Sequence, residues 1–204
     1  MEGTATAVQQ RRPSPEEGLL RAAFRDLHGA RLHGFAMLIT LGDRQLAESL
    51  AADALADGAR RADTLRHPDR GAAWLRGHVI RALRRRRMRG AGPTQEERRA
   101  ALASIGVDAA AYDSLRALDA GHRIALVAGW IEALDARDVE GLLHSRPAVL
   151  ARILASSRHQ FLEAYQRASP DPAPLPMDPA AAGPLARRIR AIAAQTMALA
   201  GSTA

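Results

Sequence analysis

The chain contains no cysteine, no lysine and no asparagine among its 204 residues, and aromatic residues make up only 3%. Without cysteine there is no disulfide, catalytic thiol or thiolate metal site, which fits a cytoplasmic protein. With so few rings, a core has to be built from Ala, Leu, Ile and Val, a set that favours helices. No stretch alternates between apolar and polar residues for long enough to suggest a sheet. Nor does any apolar run approach the ~20 residues needed to span a bilayer, so a membrane partner is not expected. The first residues, MEGTATAVQQRRPSPEE, lack the apolar core of a secretory signal. Catalytic signatures are missing too: there is no Walker-type glycine loop, no G-x-S-x-G elbow and no paired carboxylates. His28 and His33 stand five apart on a helical stretch, more than one face apart, and no carboxylate motif completes a metal site. The expectation is an all-α, non-enzymatic protein without metal, cofactor or small-molecule substrate.

What the chain does have is positive charge. The formal net charge is +7, and every basic residue other than histidine is arginine. Such a balance points to a polyanionic partner. The exclusive use of arginine reads as GC-rich coding rather than as a choice made at a site.

The most organised stretch runs from Leu115 to Tyr165. Leu115, Leu118, Leu126 and Ile131 form an apolar stripe at helical spacing. Asp135 is placed to N-cap a short helix whose inward face is Val139, Leu142 and Leu143, ending near His144. Ser145 is expected to cap the next helix, with Arg146 and Pro147 in its first turn. Val149, Leu150, Ile153, Leu154 and Phe161 carry that helix onward. A short helix, a tight break and a longer helix is the pattern that places a second helix in a DNA major groove.

Further residues suggest a second helical unit. Leu20, Phe24, Leu27, Phe35 and Leu38 line one long helix, bent near Gly29 or Gly34 and ending at Leu41-Gly42-Asp43. A helix from Arg44 to about Arg61 follows. After a break at His67 to Gly71, a third helix runs from about Ala72 into Arg84-Arg85-Arg86-Arg87-Met88-Arg89. Consecutive arginines on a helix expose cations around most of its circumference, an arrangement suited to phosphates. Between the units, Gly90, Gly92 and Pro93 mark a break, and Thr94 with Glu97 forms a capping box.

Both units resemble bacterial RNA polymerase sigma factors of the extracytoplasmic-function (ECF) type. In the C-terminal unit Leu118, Arg123, Trp130, Glu132 and Leu134 fall at the offsets of the family's promoter-recognition domain, as do Leu150, Leu154 and Arg158. In the N-terminal unit the matching residues are Leu41, Gly42, Asp43, Arg44, Ala47, Glu48, Leu50, Asp53, Trp74, Leu75 and Arg84 to Arg87. The sequence departs from the family at Ser49, Ala52, Ile80, Asp119, Ile124 and Ala151.

The resemblance implies two small helical domains joined by a linker, the second a helix-turn-helix DNA-binding domain. The expected divisions are a flexible arm (1–16), a domain that binds core polymerase and melts promoters (17–89), a linker (90–111), the helix-turn-helix domain (112–168) and a tail (169–204). It also implies roles. Glu48 and Asp53 would dock on core RNA polymerase. Arg76, His78, Arg81, Arg84 and Arg85 would read or track promoter DNA on the third helix, where flipped bases and a basic backbone path are needed. Arg146, Ala148, Arg152 and Arg158 would contact DNA from the recognition helix, and an anti-sigma factor would be a further partner. Trp74 reads as a core anchor rather than a stacking platform. In the tail, SPDPAPLPMDPAAAGP holds six prolines and reads as a semi-rigid tether. Beyond it Leu185, Ile189, Ile192 and Leu199 share one face of a basic amphipathic helix, suited to packing on a protein surface, its own or a partner's. A sigma-like protein that has lost promoter opening and modulates or sequesters a partner is the alternative reading.

Overall fold

A computed structural model describes residues 15–65, 67–86 and 92–168; most of the N-terminal arm, the end of the arginine run and the tail lie outside the described residues. Among the described residues there are eight α-helices and no strand. They are α1 (Pro15–Ile39), α2 (Arg44–Ala59), α3 (Pro68–Arg85), α4 (Gln95–Ala103), α5 (Ala109–Ala117), α6 (Ala120–Leu126), α7 (Ala136–Leu143) and α8 (Pro147–Ala168). A π-helical turn, Val127–Ile131, continues α6.

Short polar side chains set the helix starts. Asp43 accepts the amide of Leu46 at 3.1 Å to cap α2. The capping box forms as expected, with the Glu97 carboxylate taking the Thr94 amide at 2.7 Å and the Thr94 hydroxyl taking the Glu97 amide at 3.2 Å. Asp108 caps α5, and Asp119 caps α6 by accepting the His122 amide at 2.9 Å. The aspartate found where the sigma family has proline therefore starts its helix by a side-chain bond instead of a fixed φ.

α1 runs unbroken through Gly29 and Gly34. Its C-terminus has no basic residue in the last turn, yet its final carbonyls need donors. Two arginines from distant helices supply them. Arg98 of α4 donates to the Thr40 carbonyl at 2.8 Å and pairs with Asp43 at 3.4 Å. Arg123 of α6 donates to the Ile39 carbonyl at 3.3 Å and to Leu115 and Leu118 of the neighbouring helix end. Gly42 turns the chain with φ +76°, and a Cβ there would stand 2.2 Å from the Arg98 carbonyl oxygen, so α4 can lie this close only over glycine.

The core is one contiguous cluster to which both halves contribute: Leu32, Phe35, Leu50 and Leu75 on one side, Leu102, Tyr112, Leu126, Leu150 and Phe161 on the other. α3 packs on α7, and α1 on α6 and the π turn. A Cβ at Gly77 would sit 3.1 Å from a Leu142 methyl, so this glycine sets how closely α7 approaches α3. Leu20 and Leu27, expected on the apolar line of this helix with Phe24, Phe35 and Leu38, are 45% and 58% exposed. They lie on the N-terminal half of α1, where α2 and the following segment cover only the side bearing Phe24 and His28.

Candidate functional site

On α2 the two carboxylates expected to dock a partner point to different neighbours. Glu48 is exposed and lines an open cleft of about 750 Å³ with Asp43, Arg44, Pro93 and Glu97, between the starts of α2 and α4. Asp53 lies on the α3 side, paired with Arg86 at 3.4 Å. The same guanidinium donates to the Ser49 hydroxyl at 2.7 Å. Ser49, one of the positions that departs from the family pattern, thus accepts from the arginine run of the protein itself. Asp57, one turn on, accepts from Arg60 and pairs with His78 at 3.4 Å.

α3 divides its expected nucleic-acid residues into two groups. Arg81, Arg84 and Arg85 are exposed, with no carboxylate partner among the described residues, so the last turn of α3 presents an uncompensated basic face. Arg76 and His78 do not join it. Arg76 is 2% exposed; its guanidinium bonds to the Glu132 carboxylate and to the Ala72 carbonyl at 3.0 Å, and lies over the Phe35 ring. The expectation that Arg76 contacts DNA is corrected here, because position 76 of α3 faces inward between α1 and the Ile131–Glu132 segment. Burial lowers the Arg76 pKa, opposed by the charge of Glu132 and the hydrogen bond to it. His78 is half-buried against Trp74 and Asp57; burial holds its imidazole below the usual histidine range despite Asp57. Trp74 packs on the core with Arg61 over its ring, as a core anchor would.

α7 stops at His144, which adopts φ +52°, and the Ser145 amide closes the helix on the Glu140 carbonyl at 3.1 Å. α8 starts two residues later. Pro147 is its first residue, and the Arg146 carbonyl accepts from Val149 and Leu150. Arg146, not Ser145, therefore occupies the capping position, because its carbonyl accepts the first intrahelical bond and Pro147 is the first helical residue. Asp135 holds the cap position of α7 as expected, without a side-chain bond. Val139, Leu142 and Leu150 are buried, while Arg146, Ala148, Ala151, Arg152 and Ala155 are exposed. The first two turns of α8 thus offer an alanine strip with two exposed guanidinium groups, Arg146 and Arg152, that meet no carboxylate among the described residues. Arg158 does not extend that strip. It is half-buried, lies over the Trp130 ring at 4.6 Å, and its Nε–H finds no acceptor among the described residues.

The structure brings together residues that sequence reasoning had kept apart. Glu132 and Arg123 stand at family offsets, but their partners, Arg76 and the end of α1, lie in the other half of the chain. Arg31 adds a second, exposed cation 3.9 Å from Glu132. Among the described residues no group of His, Asp and Glu could hold a metal ion, and no helix is long and apolar enough to cross a membrane. Compared with protein-family models, curated proteins and solved structures, the chain matches none.

Proposed function

We propose that this chain is a divergent ECF-type sigma factor, a dissociable subunit that binds core RNA polymerase, directs it to promoters and assists initiation, working in the cytoplasm. The observation that carries the reading is the exposed start of α8. Arg146, Ala148 and Arg152 follow directly on the left-handed turn at His144 and are not needed by the core, while Leu150 and Leu154 face inward. An arginine so placed can fork two hydrogen bonds onto guanine O6 and N7 in the major groove, worth about 1–3 kcal/mol of discrimination. The basic end of α3, Arg81 with Arg84 and Arg85, supplies phosphate contacts without sequence information. Docking falls to α2, with Glu48 on the α4 side and Asp53 on the α3 side. Replacing Glu48 and Asp53 together by Arg is expected to abolish co-purification with core polymerase while leaving helicity unchanged. Unaltered co-purification would remove α2 as the docking surface.

One observation favours the second reading, a sigma-like protein that modulates a partner without opening promoters. Arg76 is enclosed and His78 is held by Asp57, so the middle of α3 offers fewer side chains to a separated strand than the resemblance implies. Under that reading the protein binds polymerase or an anti-sigma factor, yet yields no transcript.

A further inference from the structure

Four large apolar side chains stand exposed among the described residues, and three of them, Leu19, Leu20 and Leu27, lie on the N-terminal half of α1. Leu20 and Leu27 line a cleft of about 230 Å³ with Phe24, His28, Leu65 and Pro68, between α1 and the segment joining α2 to α3. The volume is below the roughly 300–1,000 Å³ of small-molecule sites. The shape suits the side chains of another segment rather than a ligand.

Of the parts of this chain outside the described residues, one alone carries an apolar face at helical spacing. Residues 1–14 and 87–91 have none, whereas Leu185, Ile189, Ile192 and Leu199 fall together on a helix, with Arg187 and Arg190 off that face. The proline-rich tether at 169–184 reaches about 50 Å at ~3.1 Å per residue. A domain of this size has a radius of gyration of about 15 Å and hence a diameter of roughly 40 Å, so a tether of that length exceeds the width of the domain. Tethering makes docking on the same molecule intramolecular, so that unlike docking of a second copy it does not fall off on dilution.

We infer that the C-terminal segment 185–199 docks as a helix on the cleft of α1, setting Leu185, Ile189 and Ile192 against Leu20, Leu27 and Leu65. The inference stands apart from the polymerase reading and needs neither polymerase nor DNA for its test. Because the protein has no cysteine, paired-cysteine variants of the full chain report proximity without background. Leu27→Cys with Ile189→Cys, and separately Leu20→Cys with Ile189→Cys, should close a disulfide within the monomer on mild oxidation. Either pair should react at least about tenfold faster than Ala117→Cys with Ile189→Cys, since Ala117 ends α5 where Arg123 ties Leu115 and Leu118 to the Ile39 carbonyl, at the opposite end of α1 from the cleft. Leu27→Cys with Arg187→Cys, on the opposite helix face, should react as slowly as that control. Circular dichroism checks that each variant is folded, and the exposed position 20 tolerates cysteine if position 27 does not. Equal rates for all pairs would overturn the inference. Predominantly disulfide-linked dimers would also overturn it, assigning the cleft to a second copy.

Discussion

Arg76 and Glu132 are 56 residues apart in sequence, and their side chains are only 3% and 4% exposed. Two desolvated charges hold each other, so removing one should cost far more than removing both. Glu132→Ala is expected to destabilise by about 3–5 kcal/mol in urea unfolding, because Arg76 is left charged and enclosed. Arg76→Met with Glu132→Leu should unfold near the parent's midpoint, or above it. A double variant as weak as the single one would show that the site needs the ion pair itself. His28, beneath the apolar cleft, is held below its ordinary pKa first by burial and then by Arg76 and Arg31. The folded state therefore resists protonating it. Its contribution to stability is complete above the unfolded-state value of roughly 6.5 and is lost as pH falls through the lower folded-state value. Burial depresses His78 in the same direction. Urea midpoints should drop between pH 7.5 and 5.5, and His28→Gln should flatten that slope; an unchanged slope would assign it to other groups. None of this was legible at single positions. Glu132 matched a family offset and Arg76 stood on the helix expected to meet DNA, and nothing in the sequence at position 76 distinguishes a buried arginine from one that meets phosphate.

At the scale of elements the turn between α7 and α8 is the critical piece. His144 sits in the left-handed region, where a Cβ is costly for an L-residue, so His144→Gly should stabilise the protein by up to about 1 kcal/mol in thermal unfolding. A loss of stability would mean that the imidazole makes a contact worth more than the strain. On α8, Arg152→Ala should relax base preference at one position in selections on randomised DNA, with little effect on folding. Arg158→Ala is expected to act differently, because Arg158 lies on Trp130: it should cost about 0.5–2 kcal/mol of stability. On α3, Arg84→Ala with Arg85→Ala should weaken binding to all sequences and reduce the slope of log affinity against log salt by about 0.7 to 0.9 for each lost contact. An unchanged slope would assign these arginines to solvent. Elements were well marked in the sequence where a short polar side chain precedes an apolar run, as at Asp43, Thr94 and Asp135. The α8 start was misplaced by one residue because a serine beside a proline reads as a side-chain cap, whereas here Arg146 precedes Pro147 and supplies the capping carbonyl. The apolar stripe of α1 gave the helix but not its burial, which depends on how far α2 and the α2–α3 segment extend along it.

For the whole molecule, composition led to an all-helical chain, and periodicity to two helical units with a capped helix between them. Their packing into one core was not readable. It rests on Arg98 and Arg123 reaching carbonyls 58 and 84 residues away, and on the lack of a side chain at Gly77. Local pattern carries no information about such pairings, because every exposed arginine has the same signature until its acceptor is known. The shared core also bears on function. The residues of α3 and α7 that cover each other are not open to a partner, whereas the arginines at the end of α3 and the start of α8 are exposed. The central claim is that these surfaces serve promoter-directed transcription, and one assay tests it most directly: run-off transcription with purified core RNA polymerase on the DNA upstream of the protein's own gene. The account predicts a discrete transcript that depends on added protein and is lost with the Glu48→Arg and Asp53→Arg pair. Core polymerase that binds the protein yet gives no transcript would favour the partner-modulating reading, and neither binding nor a transcript would contradict the account.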